Sequence, residues 1–271
     1  MSTITPYLLP DVPWGIFPCP DCGYASARSK TGDGNMMKYI LAALGGAAIV
    51  TGSANASEAS IQADDGADNA AITQAFKLIG QKQAAQALDL VGPLLTRFDA
   101  QIAQAEKKGM VFCGPTMMEA ILYATLPATQ KRDGIVLNAE VCDALFVKSY
   151  ALVELDRKPE ALVTLQRLTA LAPMHAHYFV ELGYAYRING QNDKAEEAYR
   201  AALEHAEFAE DDKTKKHNRA TAQRGIGYML VEKGDLNGAE KAYKQSLKDE
   251  PDSSVARNEL DFIAQQRKGA K

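Results

Sequence analysis

The chain has 271 residues, of which 46% are hydrophobic and 24% are charged, and its net charge at pH 7 is −4. This length allows one large domain or two modest ones, each with a hydrophobic core. The nearly balanced charge excludes a basic nucleic-acid-binding protein that depends on phosphate contacts, so we expect no nucleic-acid partner. With four Cys and four His in the whole chain, we expect neither a metal site nor a cofactor.

An apolar run near the N-terminus predicts export. The run extends over eleven residues from Ile40 to Val50, follows the basic residue Lys38 and is followed by an Ala-Asn-Ala sequence that ends at Ala56. A short basic start, an apolar stretch of this length and an Ala-x-Ala end are typical of a secretory signal peptide. We therefore predict a signal peptide over residues 36–56 and a periplasmic or secreted mature protein without a membrane span. A buried core helix and an uncleaved anchor are the alternatives.

A signal peptide begins close to its basic residue. Residues 1–35 all precede Lys38, so they do not fit the predicted signal peptide. The stretch is rich in Pro and Gly, and it has too little apolar material to fold alone. We interpret it as a translated upstream extension, with Met36 or Met37 as the true start. A small zinc knuckle around Cys19 and Cys22 is the alternative, although one C-x-x-C pair supplies only half of the ligands of a zinc ribbon.

The mature chain, residues 57–271, retains two cysteines, Cys113 and Cys142. An oxidising compartment permits a disulfide bond between them. Closing a loop of this size stabilises a protein by about 3–4 kcal/mol where the geometry is suitable. Two separate buried thiols are equally ordinary, so the sequence leaves both states open.

The second half of the chain contains an internal repeat. Two units contain the same series of residue types in the same order. An apolar residue is followed by glycine, then by a second glycine at a turn, then by an alanine and a tyrosine. The matching residues are Phe179, Leu182, Gly183, Tyr186, Gly190, Ala195 and Tyr199 in one unit and Gln223, Ile226, Gly227, Leu230, Gly234, Ala239 and Tyr243 in the other. A third copy begins at Cys142, 34 residues before Ala176. Apolar residues recur three or four positions apart, which predicts pairs of amphipathic helices.

This pattern resembles the tetratricopeptide repeat, and the resemblance implies the fold. A single unit cannot bury its apolar stripe alone, so neighbouring units stack into a solenoid. We therefore predict an all-α protein, a right-handed α-α superhelix with repeats at 142–175, 176–219 and 220–253. Gly183 and Gly227 are expected to let paired helices approach closely. Gly190 and Gly234 are expected to supply the left-handed residue that ends the first helix of a pair.

The other segments of the mature chain are predicted to flank these repeats. We expect a flexible lead-in at 57–71, an irregular helical region with a diverged repeat at 72–141, and a capping helix and tail at 254–271. In the irregular region, helices are predicted over 70–79, 83–107 and 115–123, the last ended by Leu126-Pro127. The second repeat has ten extra residues within 204–219. We interpret them as a lengthened helix followed by a solvated loop, with a docking role as the alternative.

The sequence gives little support for catalysis. A nucleophile needs a base and an orienting partner, and no G-x-S-x-G or comparable motif is present, so we predict no catalytic residues and no enzyme activity. His175 and His177 are the only close His pair, and we interpret them as surface or helix-entry residues rather than metal ligands. His205 and His217 flank the charged insertion and are expected to titrate in solvent.

The resemblance also implies a binding groove, because the first helix of each tetratricopeptide unit lines the concave face. The residues at the corresponding places are Phe146, Tyr150, Val180, Tyr184, Arg187, Arg224 and Tyr228, with Val153 and Val231 beside them. Tyr and Arg dominate binding hot spots, so the expected partner is a protein or peptide, bound as a helix or an extended strand. The alternative is that the tyrosines pack against the preceding unit or the extended helix.

One family mechanism is not expected. Some members clamp an acidic C-terminal tail with Lys at the fifth place and Asn at the ninth, where this chain has Phe146 and Tyr150. The sequence therefore predicts a non-catalytic scaffold of the bacterial cell envelope that binds an apolar or aromatic segment. A self-assembling structural module, paired through exposed repeat faces, is the alternative, and an enzyme or metal protein is a further one.

Overall fold

The structure is a computed structural model that describes residues 65–129 and 132–269. The predicted extension at 1–35 and the signal peptide at 36–56 lie outside the described residues. The elements in chain order are α1 (Asp65–Gly80), α2 (Ala84–Glu106), β1 (Met110–Cys113), α3 (Met117–Thr129), β2 (Gly134–Leu137), α4 (Ala139–Glu154), α5 (Lys158–Leu171), α6 (Ala176–Ile188), α7 (Asn192–His205), α8 (Asp212–Glu232), α9 (Leu236–Asp249) and α10 (Ser254–Gly269). None of the helices in these two ranges combines the length and the hydropathy needed to cross a bilayer.

Neighbouring helices pack in pairs along the chain. α4 packs on α5, α6 on α7 and α8 on α9, and successive pairs meet through α5–α6 and α7–α8 contacts. α1 and α2 pack on each other and on α4, while α10 packs on α9. The predicted all-α fold is therefore confirmed, with helix pairs stacked like a tetratricopeptide superhelix.

The hydrophobic core follows the same stacking. The largest cluster of buried side chains extends from Ile72 in α1 to Ala198 in α7. A second cluster surrounds Tyr199 and Met229, and a third joins Tyr243 to Ile263 of α10. Each helix pair thus buries its apolar stripe against its neighbours, which is why no pair is expected to be stable alone.

The turns between paired helices contain the left-handed residues that the sequence predicts. Gly190 has a φ angle of 72° and Gly234 a φ angle of 80°, the region in which glycine has no steric penalty. In the first repeat Asp156 has a φ angle of 56° at the equivalent turn. Asp tolerates this conformation better than most residues, so the turn is kept without a glycine.

Glycines also give space for the tyrosine of the second helix. A Cβ atom added at Gly183 of α6 would lie 2.7 Å from Cε1 of Tyr199, and one added at Gly225 of α8 would overlap the same ring. In the next unit, a Cβ atom at Gly227 would lie 2.9 Å from Cζ of Tyr243. The close approach predicted at Gly183 and Gly227 is confirmed, and Gly225 adds a second contact on Tyr199.

The region between α2 and α4 differs from the predicted irregular helices, because it contains a small parallel sheet. β1 pairs with β2, so that Met110 lies opposite Gly134 and Cys113 opposite Leu137, and α3 forms the crossover between them. Both strands are apolar runs of four residues. Runs this short have no periodicity that distinguishes a strand from a buried helical segment.

The predicted bounds of the helix at 115–123 were wrong at both ends. α3 begins at Met117 and continues to Thr129, with Pro127 inside its last turn. A proline there removes one hydrogen bond near the end of the helix and does not stop it earlier. The ring of Pro127 packs against Gly134, where an added Cβ atom would overlap it.

Polar contacts attach α3 to the turn between α5 and α6. The Thr116 hydroxyl accepts from the Glu119 N–H at 3.2 Å, which satisfies a free donor at the start of α3, and donates to the Glu119 carboxylate at 3.1 Å. The same carboxylate lies 2.9 Å from Nδ1 of His175. The Met174 N–H donates to the Tyr123 hydroxyl at 3.0 Å. α3 is thus held against the junction of the first two repeats.

A disulfide bond joins Cys113, the last residue of β1, to Cys142 in the first turn of α4, with the two Cα atoms 5.9 Å apart. Both cysteines are fully buried. Of the two states that the sequence leaves open, the structure contains the bond. Because the closed loop includes α3 and β2, the bond ties this unit to the first repeat and contributes about 3–4 kcal/mol of stability.

The extra residues of the second repeat lengthen the helix that follows them. α7 ends at His205, a short 3-10 helix occupies Ala206–Phe208, and α8 already begins at Asp212. The Asp211 carboxylate accepts from the Thr214 N–H at 2.9 Å and caps the new helix. The interpretation of 204–219 as a lengthened helix followed by a loop was therefore wrong in its order.

The predicted flexible lead-in at 57–71 was also wrong in its extent, because α1 already begins at Asp65.

We expect Gly225→Ala to destabilise the protein by about 1–2 kcal/mol, because the clash with the Tyr199 ring outweighs the better helix propensity of alanine. Urea unfolding measures this difference. Gly80→Ala is the matched control, since a Cβ atom there meets no atom within 4 Å. The control should be neutral or slightly stabilising. A Gly225→Ala protein as stable as the wild type would contradict the packing of Tyr199 against α8.

Candidate protein-binding surface

The predicted groove residues lie on α4, α6 and α8, but three of them belong to the core. Phe146 and Tyr150 are each 5% exposed, and Val180 is 3% exposed. The Phe146 ring lies 4.7 Å from the Tyr150 ring and 4.9 Å from the Tyr178 ring, measured between centroids. The expectation that these three line an open groove is therefore corrected: they fill the space between neighbouring helix pairs, as the packing alternative predicts.

A buried carboxyl group lies beside Tyr150. Glu181 of α6 is 5% exposed, and its Oε1 accepts a hydrogen bond from the Tyr150 hydroxyl at 3.3 Å. Burial raises the pKa of Glu181 to about 8, although the hydrogen bond from Tyr150 opposes this shift. His177 places Nε2 3.7 Å from the same oxygen, and burial, together with the nearby His175 and His217, lowers the pKa of His177 to about 3. Both side chains are therefore uncharged at neutral pH.

Glu181 faces a small cavity between the first two helix pairs. The cavity is lined by Ser149, Tyr150, Val153, Leu165, Glu181 and Tyr184. Val153 and Tyr184 are only half-buried, so this wall continues into the surface formed by α4 and α6. The uncharged carboxyl group thus shares this cavity with Tyr184, one of the remaining groove residues.

Tyr184, Arg187 and Tyr228 form a stack that joins α6 to α8. Cζ of Arg187 lies 4.9 Å from the centre of the Tyr184 ring and 4.7 Å from the centre of the Tyr228 ring. The charge of the Arg187 guanidinium acts on the buried Tyr199 hydroxyl, where it opposes the rise in pKa that burial causes. All three members of the stack are half-buried. A guanidinium between two rings keeps N–H donors at its edge, so the stack offers a fixed cationic donor between two aromatic walls.

Arg224 has a different role from the one predicted. Its Nη1 donates to Oε2 of Glu250 at 2.5 Å, and its Nη2 donates to the Thr221 hydroxyl at 2.9 Å. His217 places Nδ1 2.6 Å from the other oxygen of Glu250. Burial alone raises the pKa of Glu250, but the hydrogen bonds from His217 and Arg224 outweigh it, and the pKa lies below its ordinary value. Arg224 therefore joins α8 to the end of α9.

The histidines are more enclosed than predicted. His205 lies against Phe179, with 5.0 Å between ring centroids, and burial lowers its pKa. His217 is partly buried and pairs with Glu250, so neither histidine is the fully solvated residue that the sequence predicts. His175 immediately precedes α6, as the helix-entry interpretation predicts. Within the described ranges, His, Cys, Asp and Glu side chains form no group of three or more that could hold a metal ion.

Comparison with protein families identifies the repeats. Residues 174–248 match the tetratricopeptide repeat family model, a segment that includes α6, α7 and α8 and most of α9. The resemblance seen in the sequence is thus confirmed for this part of the chain, which contains the whole Tyr184–Arg187–Tyr228 stack. A search of curated protein sequences found no match for the chain.

Several solved structures are similar to the chain. The tetratricopeptide domain of Sgt2 from Aspergillus fumigatus is 21% identical, with a TM-score of 0.41, and the match covers 48% of this chain and 80% of that one. The first tetratricopeptide domain of Spaghetti (RPAP3), bound to the HSP90 peptide SRMEEVD, is 20% identical, with a TM-score of 0.40, and covers 46% and 91%. MamA, from residue 41 to its end, from Desulfovibrio magneticus RS-1 is 20% identical, with a TM-score of 0.35, and covers 69% and 97%.

The raised pKa of Glu181 predicts a pH dependence of stability. A carboxyl group whose pKa is higher in the folded state than in the unfolded state stabilises the fold at low pH. This contribution is lost as the pH rises from about 4.5 to about 8. Relative to Glu181→Gln, which stays uncharged, the wild-type protein should lose up to about 4 kcal/mol between pH 5 and pH 8. Urea unfolding at several pH values measures the difference.

Glu197→Gln on α7 is the control, because Glu197 is exposed; its stability should follow the wild type at every pH. If His177 and Glu181 instead formed a charged pair, Glu181→Gln would be most destabilising relative to the wild type near neutral pH. That opposite trend would contradict the uncharged state.

Proposed function

We propose that this protein is a non-catalytic scaffold that binds a segment of another protein at the surface formed by α4, α6 and α8. The observation that carries the proposal is the stack of Tyr184, Arg187 and Tyr228, which bridges two repeats and is half-buried. Tetratricopeptide domains mediate protein and peptide binding, and the matching segment, residues 174–248, contains this stack. Tyr and Arg are also the residues that contribute most at binding hot spots.

The stack indicates the chemistry of the bound segment. The two tyrosine rings suit an apolar or aromatic side chain, because they bury a large area at little cost in side-chain entropy. The edge of the Arg187 guanidinium suits a backbone carbonyl or a carboxylate. Val153 and Val231, half-buried on α4 and α8, extend the apolar part of the surface. A segment with an apolar anchor next to an acceptor group fits this arrangement best.

We further propose that the protein acts in the bacterial cell envelope after export. The signal peptide predicted at 36–56 supports this location. The disulfide bond between Cys113 and Cys142 also supports it, since disulfides persist in oxidising compartments and are rare in the cytosol.

Removal of both rings should weaken peptide binding while leaving the fold intact. Peptides are selected from a random phage-displayed library on the immobilised full chain, and their affinity is measured by fluorescence anisotropy. Tyr184→Ala with Tyr228→Ala should weaken binding at least about tenfold, because two hot-spot rings are lost. Circular dichroism should show unchanged helix content. A double variant that binds as tightly as the wild type would reject the proposed surface.

Tyr186→Ala is the matched control for this experiment. Tyr186 is a half-buried tyrosine on the same helix, but it contacts Gln166 of α5 and Lys194 of α7 instead of the stack. Its removal should change the peptide affinity less than about twofold, because it lies outside the binding surface.

Export makes a separate prediction about the N-terminus of the mature protein. When the full gene is expressed in a bacterial host, the protein in the periplasmic or secreted fraction should begin at Ser57, because cleavage is expected after Ala56. N-terminal sequencing determines this residue. Protein that remains in the cytosol, or that retains residues 36–56, would contradict the proposed location.

A further inference from the structure

The cavity between the first two helix pairs has polar groups in its wall. Three of the residues that line it have oxygen-bearing side chains that are buried: Ser149, Tyr150 and Glu181. The volume of the cavity is about 10 Å³, which is about enough for one group of the size of a water molecule. The cavity therefore places a carboxyl group and two hydroxyl groups around the space for one small polar group.

The two hydroxyl groups are oriented by the hydrogen bonds that they donate. The Ser149 hydroxyl donates to the Phe146 carbonyl at 2.7 Å, and the Tyr150 hydroxyl donates to Oε1 of Glu181 at 3.3 Å. A hydroxyl group has one proton and two lone pairs, so both oxygens can also accept a hydrogen bond. The wall of the cavity thus suits a donor, and the carboxyl group within it suits a cationic donor.

The cavity lies beside the proposed peptide surface. Its apolar wall includes Val153 and Tyr184, and both side chains are half-buried. Tyr184 also belongs to the stack with Arg187 and Tyr228, so a segment bound at the stack lies next to this wall. A long, unbranched side chain can lay its methylene groups along such a wall and extend its charged end beyond them.

The size of the cavity distinguishes between the possible cations. An ammonium group is about as large as a water molecule and has three N–H donors, one for each of the three oxygen-bearing side chains. A guanidinium group is planar and larger, with its donors in a fixed fork. The terminal amino group of a peptide lacks the long, narrow stem that would carry it below the surface. A lysine side chain therefore fits the cavity best.

We propose that this cavity binds the ammonium group of a lysine side chain through Glu181, Ser149 and Tyr150. This inference rests on the proposed function, because the lysine belongs to the same bound segment that contacts Tyr184 and Tyr228. It adds a requirement for one basic residue to the apolar anchor and the acceptor group that the stack favours.

The positions of Glu181 and Arg187 indicate where the lysine lies in the segment. The two residues are six positions apart on α6, which corresponds to about 9 Å along the helix. An extended segment covers this distance in about three residues. The lysine should therefore lie about three residues from the group that Arg187 binds.

Lysine binding changes the protonation state of Glu181. In the free protein, burial raises the pKa of Glu181 to about 8. The titratable side chains that face it are Tyr150 of α4, His177 of α6 and Tyr199 of α7, whereas α5 contributes the apolar Leu165. Burial lowers the pKa of His177 to about 3 and raises that of Tyr199, so neither changes its charge near pH 7. An ammonium group favours the carboxylate of Glu181, and the carboxyl proton then passes to the solvent.

Calorimetry of peptide binding at pH 7 tests this proton release. The full chain is titrated with the library-selected peptides, acetylated at the N-terminus, in phosphate and in Tris, two buffers with very different ionisation enthalpies. About 0.9 proton should be released for each peptide bound, because a group with a pKa of about 8 is about nine-tenths protonated at pH 7. Glu181→Gln should release none. Glu197→Gln is the matched control, since Glu197 is exposed, and it should release as much as the wild type.

Changes in the peptide test the same cavity without altering the protein. Replacement of the lysine by methionine should weaken binding at least about tenfold and abolish the proton release, because the charged partner of Glu181 is lost. Replacement by arginine should weaken binding as well, since the guanidinium group is too large for the cavity. Acetylation of the peptide N-terminus should leave the affinity unchanged, because the lysine side chain supplies the ammonium group.

The results separate the lysine site from the proposed surface. Peptides that require Tyr184 and Tyr228 but contain no lysine, or that release no proton through Glu181, would overturn the lysine site and leave the surface intact. A methionine or arginine peptide that binds as tightly as the lysine peptide would also overturn it. Binding that survives Tyr184→Ala with Tyr228→Ala would reject the surface, and with it the lysine site.

Discussion

The repeat stacking depends on the close contact between a tyrosine of one helix and the glycines of its neighbours. Tyr199 of α7 packs against Gly183 of α6 and Gly225 of α8, so one ring determines the spacing of three helices. Tyr243 repeats the contact with Gly227 in the next pair. A methyl group at Gly183 or Gly225 would enter the space of the Tyr199 ring. The short distance between successive helix pairs therefore depends on glycine at these two positions. The angle of the superhelix, and with it the surface of α6 and α8, follows from this contact.

The N-terminal part of the fold is joined to the repeats by different means. Here a small parallel sheet and its crossover helix replace the usual helix pair, and Phe112 and Tyr123 join the largest hydrophobic cluster. A covalent bond between Cys113 and Cys142 and the polar contacts of Glu119 and Tyr123 add to this attachment. The same contacts leave the outer side of α3 exposed. A unit held in this way can present apolar residues to solvent without losing its own place in the structure.

How far the sequence predicts this structure depends on how local each feature is. The turn glycines Gly190 and Gly234 and the close contacts at Gly183 and Gly227 were predicted correctly, because each follows from residue types at fixed places in a repeat. The strands β1 and β2 were missed, since four residues carry too little pattern. The cap at Asp211 was also missed, although an acidic residue before a helical stretch is a recognised start signal.

The binding surface shows that a residue's place in the repeat predicts the helix on which it lies, but not whether its side chain is buried. The repeat register correctly placed Phe146 on the first helix of its unit, yet α1 packs on α4, and Phe76 of α1 lies 6.0 Å from the Phe146 ring. An element from a distant and irregular part of the chain thus covers the position. The state of Glu181 depends likewise on Tyr150, 31 residues away, a relation that no local pattern contains.

Arg187 connects the packing of the repeats to the proposed binding surface. Its guanidinium acts electrostatically on the hydroxyl of Tyr199, the ring that sets the helix spacing, and lies between the half-buried Tyr184 and Tyr228. Since Tyr184 belongs to α6 and Tyr228 to α8, the distance between these two rings is determined by the same contact that stacks the repeats. A bound segment that contacts both rings would therefore favour one spacing of α6 and α8. Binding energy and repeat packing are coupled through this one side chain, and ligand binding should stabilise the second and third helix pairs together.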